Sequence, residues 1–332
     1  MDLITGGSGF IGGHLAQRLS ELGSPVRVLD IKPPPHPLPG VDYRLGSITD
    51  RTAVTEAMRG CRRVFHLAAL SGLWGPDKAA FLSINRDGTR TVLQAARTEG
   101  VETVVHTSTE SILIAMGRGR RPQVVNEDTQ LHLDQMAGAY CRGKYLAEAE
   151  ARAAADAGQR VVIVNPTVPI GPGDPWQTPP TRMLLGFLTG RHPAYLDTCL
   201  NLADARDIAE GHRLAAEHGQ PGQRYILGAH DTPLSDLLRM LAHLSGRPMP
   251  KRRVPYPLAL AVAVIGEWLA DHITHRPPAA PLSGVRLAGI PVRFDNQRSR
   301  TALGWQPRPL SDSLRDAIAD FRQRGLLPEP DA

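Results

Sequence analysis

The sequence is poor in the residues that mark several classes of protein. Its 332 residues include only three cysteines, Cys61, Cys141 and Cys199, with neither Cys-x-x-Cys nor Cys/His ligand spacing. This pattern excludes a disulfide framework and a structural zinc site, so we predict no bound metal. Three scattered cysteines fit a reducing cytoplasm, where we expect the protein to be located.

No segment of the chain is dominated by charge of one sign. The 38 basic and 33 acidic residues give a formal net charge of +5, and the basic residues form no long block. A balance of this kind does not indicate a nucleic-acid partner, and we predict none. Only four of the basic residues are lysines, at positions 32, 78, 144 and 251, which makes the surroundings of each lysine informative.

An apolar run long enough to span a bilayer is also missing. Residues 1–12 lead straight into a glycine-rich loop, without the basic and apolar regions of a signal peptide. The longest apolar run, Leu258 to Gly266, stops at Glu267 and falls short of the roughly 20 residues that a membrane span needs. We predict a buried helix here. The alternative is peripheral membrane contact, because residues 251–253 and 276 are basic.

What is present is an alternation of β-type and helical runs, the pattern of βαβ units on a parallel sheet. The predicted strands are Leu3 to Thr5, Val26 to Asp30, Val64 to Ala69, Val101 to Ser108, Arg160 to Pro166 and Tyr225 to Leu227. Helices are predicted near 88–98 and 139–157. The strands are nearly continuous in Val, Ile and Leu, as in a sheet covered on both faces.

These elements predict an α/β fold, a doubly wound Rossmann sheet with a smaller, partly helical lobe. Prolines cluster just after residue 168, between 169 and 180. We therefore predict a cofactor-binding Rossmann domain at 1–168 and a mainly substrate-binding lobe at 169–293, with segments returning to the Rossmann body. A C-terminal turn and helix are predicted at 294–332.

A glycine loop opens the chain. Gly6, Gly9 and Gly12 follow a strand and begin a helix, which allows a tight turn and leaves free N–H groups to receive a pyrophosphate. Asp30 ends the next strand 18 residues after Gly12, where its carboxylate can bond both adenosine-ribose hydroxyls and repel a 2′-phosphate. The cofactor prediction is NAD rather than NADP, although Lys32 softens that preference.

A Tyr-x-x-x-Lys pair lies on a predicted helix. Tyr140 and Lys144 share a helix face, so the ammonium can lower the phenol pKa and let it exchange a proton with a substrate oxygen. Ser108 and Thr109 end a predicted strand, where active-site residues of such sheets collect. Either hydroxyl can bond the same substrate oxygen.

Together these segments resemble the extended short-chain dehydrogenase/reductase family, also called the NAD-dependent epimerase/dehydratase family. The resemblance rests on Thr5–Gly12 (TGGSGFIG), His66–Ala69 (HLAA), Asn85–Thr89 (NRDGT), Thr107–Thr109 (TST), Tyr140-x-x-x-Lys144, Gly171–Asp174 (GPGD) and Leu303–Pro307 (LGWQP). It implies an NAD-binding Rossmann domain, a C-terminal substrate lobe and a homodimer that pairs two helices from each subunit.

The resemblance also implies a role for particular residues. Thr109, with Ser108 beside it, takes the position of the catalytic hydroxyl, Tyr140 that of the acid/base, and Lys144 that of the residue that holds the nicotinamide ribose. The implied cofactor-binding residues are Gly6, Gly9, Phe10, Ile11, Gly12, Asp30, Ile31, Lys32, Ser47, Ile48, Leu67, Ala68, Ala69, Asn85, Thr107, Tyr140, Lys144, Pro166 and Val168. Ser47 stands where the family usually has an aspartate beside the adenine.

Within the family, the chain is most similar to the branch of dihydroflavonol reductases, 3β-hydroxysteroid dehydrogenases and hopanoid-associated sugar epimerases. Nucleotide-sugar epimerases carry an asparagine and an arginine at the places where this chain has Val168 and Leu200. Apolar side chains there leave a diphosphate poorly paired, so we expect an apolar substrate.

Three functions follow from this resemblance. The leading hypothesis is a dehydrogenase or ketoreductase for a secondary alcohol or ketone of a lipophilic molecule. The alternative is an epimerase of a sugar or nucleotide sugar that retains its NAD. A non-catalytic NAD-sensing protein is a third hypothesis, which the intact Thr109, Tyr140 and Lys144 disfavour.

Overall fold

The computed structural model describes residues 1–117 and 121–327. The strands are β1 (Asp2–Thr5), β2 (Val26–Asp30), β3 (Asp42–Leu45), β4 (Arg63–His66), β5 (Thr103–Thr107), β6 (Gln123–Val125), β7 (Val161–Pro166), β8 (Val168–Ile170), β9 (Ala194–Leu196), β10 (Cys199–Asp204), β11 (Arg224–Leu227), β12 (His230–Pro233), β13 (Arg252–Val254) and β14 (Val292–Phe294).

The helices follow the same order along the chain. They are α1 (Phe10–Glu21), α2 (Arg51–Met58), α3 (Ala80–Leu82), α4 (Gly88–Thr98), α5 (Gly138–Asp156), α6 (Pro179–Leu188), α7 (Ala205–His218), α8 (Leu234–Ser245), α9 (Tyr256–Leu269), α10 (Leu282–Ala288), α11 (Gln297–Leu303) and α12 (Leu310–Gln323). Two π-helical stretches, Ser83–Asp87 and Ala270–Thr274, join α3 to α4 and extend α9. Short 3-10 turns lie at Glu110–Leu113 and Leu133–Gln135.

A seven-stranded parallel sheet forms the body, in the order β11-β7-β5-β4-β1-β2-β3. The strand order reverses at β1, with β2 on one side and β4 on the other, so a crevice opens at their carboxyl ends. Every residue of β1, β5 and β7 is buried, because helices cover both faces. The predicted α/β Rossmann fold is confirmed.

The strands end close to the predicted positions, with one informative difference. We expected a strand from residue 64 to 69, but β4 ends at His66. A Cβ atom at Gly6 would lie only 2.6 Å from the backbone nitrogen of Ala68, so the glycine loop packs directly on residues 67–69. These residues therefore leave the sheet and form a loop beside the glycine turn.

The lobe is built on a second core. Leu184, Leu237, Leu241 and Leu314 belong to an apolar cluster distinct from the one under the glycine loop. A three-stranded sheet, in the order β12-β10-β8, connects this cluster to the body. The segment 169–293 also returns β11 to the main sheet, and the 294–332 segment extends past the described residues. The division at 168 and 293 stays a prediction.

The helix α9 contradicts the expectation of burial. Together with its π-helical extension it spans Tyr256–Thr274, and only Ala263 and Ala270 are buried. By length and composition alone, this one helix of the described residues could cross a membrane, with a mean hydropathy of 1.2 and 11% of it buried. The sequence estimate stopped at Glu267, but the apolar face continues past it, because Glu267 lies on the opposite side of the helix.

Candidate active site

The glycine loop occupies the crevice at the end of β1. Gly6 has a φ of +77°, and a Cβ at Gly12 would lie 2.3 Å from the Gly6 carbonyl oxygen. Both positions therefore require glycine, since the loop folds back on the start of α1. Gly9 is the N-cap of α1, and no side chain caps that end, so the first-turn N–H groups of Phe10, Ile11 and Gly12 face outward to an anion.

A buried hydroxyl in the same loop also fits a diphosphate. The Ser8 hydroxyl is buried and has no hydrogen-bond partner, which is costly unless something else supplies one. A dinucleotide pyrophosphate placed at the α1 terminus is such a partner. The loop therefore fits the diphosphate of NAD, both in its backbone space and in the donors that it presents.

The Asp30 carboxylate lies beside this loop at the end of β2. It accepts hydrogen bonds from the backbone N–H groups of Ser8 (3.0 Å) and Lys32 (3.3 Å), which fixes its position and leaves lone pairs for ribose hydroxyls. The Lys32 ammonium lies 5.2 Å from the centre of the Trp176 ring, and the Trp176 indole donates to the Ser8 carbonyl at 2.9 Å. Trp176 is a site residue that sequence reasoning missed, because no local pattern joins residue 176 to the glycine loop.

The predicted adenine side lies at the sheet edge formed by β2 and β3. Ile31 is 70% exposed, and an adenine ring laid against it would cover apolar surface that water now contacts. The Ser47 hydroxyl is within hydrogen-bond distance of the Thr49 hydroxyl at 2.7 Å and also accepts the Thr49 N–H. Ile48 packs beneath Gly88. Ser47 therefore shapes its turn, and Ile48 supports the turn from below.

The β4 loop is fixed by two buried side chains. The His66 imidazole is within hydrogen-bond distance of the hydroxyls of Thr5 (2.8 Å) and Thr89 (2.9 Å), and burial lowers its pKa to about 3, so it is neutral. Asn85 accepts the Leu70 N–H at 2.7 Å and donates to the Leu70 carbonyl at 3.1 Å. Asn85, predicted as a cofactor residue, thus holds the Leu67–Ala69 segment in position from behind.

Thr109 and Tyr140 meet at the end of β5. The Thr109 hydroxyl donates to the Glu110 carboxylate at 2.7 Å and is near enough to the Tyr140 phenol to influence its pKa. Burial, the Glu110 charge and the Cys141 thiol raise the pKa of Tyr140, and the Thr109 hydroxyl opposes them. We expected Lys144 to lower this pKa, but burial and the Glu110 charge dominate it and raise it. Tyr140 is a protonated acid here.

Lys144 explains the difference, because its ammonium points elsewhere. It donates to the Thr107 carbonyl at 2.5 Å, and burial lowers its pKa to about 8. The Thr107 hydroxyl is engaged by His212 Nε2 at 2.8 Å, and His212 Nδ1 by the Ile208 carbonyl at 2.7 Å. A carbonyl only accepts, so Nδ1 carries the proton and Thr107 donates to Nε2. The Thr107 backbone, rather than its hydroxyl, faces the site.

Gly143, between Tyr140 and Lys144, lets α5 pack closely against the neighbouring helical segment. A Cβ atom at Gly143 would lie 2.4 Å from the Phe81 carbonyl oxygen, so α5 contacts the neighbouring helical segment at backbone distance. The Phe81 ring packs edge-on to the Tyr140 ring, with centroids 6.3 Å apart. Sequence reasoning missed both residues. The available signal was a glycine inside a helix, where it is normally unfavourable.

One turn beyond Lys144, a buried ion pair anchors α5. Glu148 and Arg224 are 2.5 Å apart, and both side chains are almost fully buried. The Asn165 amide donates to Glu148 and to the Thr109 carbonyl, each at 3.1 Å. Ser108 lies beside Glu148, but its buried hydroxyl makes no hydrogen bond of good geometry. Both predicted hydroxyls are buried, and which of them serves the substrate oxygen stays a prediction.

Val168 and Leu200, the two apolar replacements noted in the sequence, lie where the main sheet passes into the lobe. Pro166 ends β7 and Val168 starts β8. Val168 and Leu200 lie on neighbouring strands, and both pack against the lobe core. Next to them, Asn201 donates to Asp231 at 2.7 Å, but its buried amide oxygen has no partner.

A separate cleft opens near the first turn of α5, with a volume of about 640 Å³. Met116, Met136, Tyr256 and Ile290 give it an apolar wall. Its charged lining residues are Asp134, Arg142 and Arg286. Its lining includes Gly138, two residues before Tyr140, so a bound molecule in the cleft lies next to the catalytic helix.

Comparison with known proteins places this geometry in a family. The model of the NAD dependent epimerase/dehydratase family matches residues 3–228. The chain belongs to this family. It is an NAD-dependent oxidoreductase, and NAD is the cofactor that the glycine loop and Asp30 fit.

The similar proteins of known name include several oxidoreductases. A protein of Synechocystis sp., provisionally named a dihydroflavonol 4-reductase, is 37% identical over 98% of this chain and 95% of its own length. A Stigmatella aurantiaca ketoreductase for 4-hydroxy-2-methyl-3-oxo-4-farnesyl-3,4-dihydroquinoline-1-oxide is 32% identical over 97% and 96%. Sterol demethylase protein B of Methylococcus capsulatus is 30% identical over 98% and 99%.

Solved structures share the fold over the whole chain. The crystal structure of gox2253 superimposes with a TM-score of 0.83, at 32% identity, over 99% of both chains. MoeE5 in complex with UDP-glucose and NAD gives a TM-score of 0.76 over 97% of this chain and 99% of its own, at 22% identity. The second comparison shows the fold alone.

Proposed function

We propose that this enzyme interconverts a secondary alcohol and a ketone of a lipophilic small molecule. The observation that carries the proposal is the meeting of Tyr140, Thr109 and Lys144 at the same edge of the sheet as the glycine loop and Asp30. When bound, NAD supplies or accepts the hydride. The residues of the chain supply geometry, a proton and polar contacts to the substrate oxygen.

Tyr140 is the proton donor in the direction of ketone reduction. Its raised pKa keeps the phenol protonated at neutral pH, and the Thr109 hydroxyl lies near it. The phenol proton then moves to the substrate oxygen as negative charge develops there. Thr109 must turn its own proton from Glu110 toward that oxygen to assist, because Glu110 now accepts it. Lys144 holds the end of β5 through the Thr107 carbonyl.

The substrate class rests on the apolar wall and on the relatives. Val168 and Leu200 offer no donor to a diphosphate, and burying an unpaired dianion among them is costly. Relatives at 30–32% identity carry names that refer to a sterol and to a farnesylated quinoline. Both are largely apolar molecules, and we propose a substrate of similar character.

An epimerase is the second candidate, and one observation favours it. Arg142 and Arg286 both line the cleft beside α5, and two guanidinium groups are suited to an anionic diphosphate. In that case the enzyme oxidises and re-reduces one carbon on a retained NAD. The apolar Val168 and Leu200 argue against this role.

Cofactor turnover separates the two candidates. With a hydrophobic secondary alcohol, we expect stoichiometric NADH release; with a nucleotide sugar, we expect none. Product formation from a nucleotide sugar with no net change in NADH absorbance would instead establish the epimerase. A thermal-shift screen of NAD with hydrophobic alcohols and with nucleotide sugars selects the compounds to test.

Three further assignments belong to this proposal. The enzyme prefers NAD to NADP, because the Asp30 carboxylate occupies the place that a 2′-phosphate would need. It forms a homodimer that pairs two helices from each subunit, one of them α5, as the family resemblance implies. It acts in the cytoplasm, with residues 1–168 as the NAD-binding part and residues 169–293 mainly as the substrate lobe.

A further inference from the structure

The segment Tyr256–Thr274, hereafter the apolar helix, carries an exposed face that the proposed chemistry does not use. Leu258, Val262, Ile265 and Leu269 recur at helical spacing and share one side, with exposures of 56%, 55%, 60% and 37%. Trp268, stacked on His272, widens this face. A continuous exposed apolar face of this length marks a surface that binds a membrane or another molecule.

The apolar helix is bonded to the rest of the chain near both of its ends. At its start, Tyr256 fills the space over Gly289, where a Cβ would lie 2.2 Å from the tyrosine ring. Glu267 accepts the Leu282 N–H at 2.8 Å. Near its end, Asp271 accepts the Trp74 indole N–H at 2.7 Å and pairs with Lys78 at 3.1 Å. These contacts hold the helix lengthwise on the surface, so it presents a side to its surroundings rather than crossing a membrane.

The charges at both ends of the apolar helix have the same sign. Lys251 and Arg252 precede it and are exposed, and Arg276 follows it and is exposed. Its two acidic residues, Glu267 and Asp271, are bonded to the body and lie off the exposed face. An apolar face between two basic ends is the pattern of a helix that lies in the interface of an anionic membrane.

We infer that the apolar helix docks the enzyme onto an anionic phospholipid surface. A second copy of the chain fits less well, because pairing two such helices, in either orientation, places basic ends against basic ends. Anionic headgroups instead neutralise both ends while the acyl boundary covers Leu258, Val262 and Ile265. The tryptophan fits the same location, since its ring prefers the boundary between headgroup and hydrocarbon.

Docking has a consequence for substrate access, which rests on the function proposed above. Tyr256 is the first residue of the apolar helix and also lines the cleft beside α5. A lipophilic ketone dissolved in the bilayer would therefore reach the cleft at the point where the helix meets the membrane. Water-soluble ketones would need no membrane.

Vesicle flotation of the full-length protein tests docking without any substrate. Wild type should float with vesicles of equal parts phosphatidylcholine and phosphatidylglycerol, and much less with phosphatidylcholine alone. Ile265→Glu should weaken partitioning at least about tenfold, because it removes apolar burial and adds charge. The double variant Lys251→Gln/Arg252→Gln should lose about fivefold for each removed cation.

The controls separate docking from folding and from catalysis. Leu22→Glu changes an exposed leucine far from the apolar helix and should float like wild type. Thermal unfolding and NAD binding should be unchanged in Ile265→Glu. With a bilayer-dissolved ketone, the same variant should show a raised apparent KM, while a water-soluble ketone is turned over as by wild type.

Two results would overturn the docking inference. One is equal flotation of wild type and Ile265→Glu. The other is a wild-type oligomer that binds no vesicles and that Ile265→Glu reduces in mass, which would assign the face to a second copy. Flotation without any ketone turnover would support docking and reject the proposed oxidoreductase substrate instead, so the two proposals fail separately.

Discussion

The carboxyl edge of the main sheet and the apolar helix differ in the side chains that they expose and in how firmly these are held. At the edge, side chains such as Asp30, Asn85 and Lys144 are bonded to backbone groups and hold short turns in one arrangement. Along the apolar helix, large side chains face outward and only two residues are buried. A polar cofactor needs fixed donors and acceptors, whereas an apolar partner needs area and tolerates variation in detail. At the carboxyl edge, the identity and position of each polar residue therefore matter. On the apolar helix, the amount of exposed apolar surface matters more than the identity of any one residue.

The largest effect is expected at the rigid edge. Tyr140→Phe should lower kcat by about 10²–10⁴-fold, because the proton donor is lost, while NAD affinity stays nearly unchanged. Steady-state rates and a fluorescence titration of NADH measure the two quantities. Tyr145→Phe is the matched control on the same helix, since its hydroxyl donates to the Leu131 carbonyl at 3.1 Å, outside the candidate site. Unchanged turnover in Tyr140→Phe would reject the mechanism.

A second change tests how firmly the edge is anchored. Arg224→Met removes the more buried of the two cations that pair with Glu148. It should cost about 3 kcal/mol in free energy of unfolding, at the low end for a broken buried pair, because Arg152 stays 3.2 Å from the carboxylate. Urea denaturation at neutral pH measures the loss. Arg315→Met, in an exposed pair with Asp312, should change stability by less than about 1 kcal/mol. Similar losses of unfolding free energy in both variants would show that the buried pair stabilises the protein no more than an exposed pair.

The cofactor preference is a finer test of the same edge. Asp30→Ala should raise kcat/KM for NADP relative to NAD by at least about tenfold, because a carboxylate facing the 2′-phosphate is removed. Asp50→Ala is the control, since Asp50 only caps α2 and should leave the ratio unchanged. The NAD assignment fails if wild type already prefers NADP.

The smallest expected effect is a displaced pH profile. The Glu110 charge raises the pKa of Tyr140, so Glu110→Gln should lower that pKa. In alcohol oxidation, which needs the phenolate, the rising limb of kcat/KM against pH should move to lower pH. A limb that moves upward or stays fixed would show that Glu110 carries no charge beside the phenol.

Short-range sequence patterns were sufficient to predict most of the residues at the carboxyl edge of the sheet. The glycine spacing, Asp30 at a strand end and the Tyr140–Lys144 pair are short-range patterns whose physics is contained within one βαβ unit, and the structure places them together. The contacts of Trp176 and Gly143 depend on residues far away in the chain, so no window of sequence could reveal them. The pKa of Tyr140 is similar, because it depends on Glu110 and on where Lys144 points.

For the apolar helix, the sequence predicted an apolar environment but not which environment it is. Its composition indicated an apolar environment, and we assumed that this environment was the core of the lobe. Composition does not distinguish burial in protein from contact with lipid, because both remove apolar surface from water. Only the contacts of Tyr256, Glu267 and Asp271 with the rest of the chain show which side of the helix is exposed.

The Glu148–Arg224 pair bears on whether the two parts of the chain can be separated. Glu148 lies on the catalytic helix, but Arg224 lies on β11, which enters the sheet from the second half of the chain. A fragment ending at residue 168 would keep the glycine loop, the Tyr140–Lys144 pair and Arg152, which lies 3.2 Å from Glu148. It would lose Arg224, the only one of the two cations that is almost fully buried with that carboxylate in the described residues. Engineering that exchanges substrate lobes between relatives must therefore carry residues 224–227 with the cofactor-binding part, and the natural unit of exchange is discontinuous in sequence.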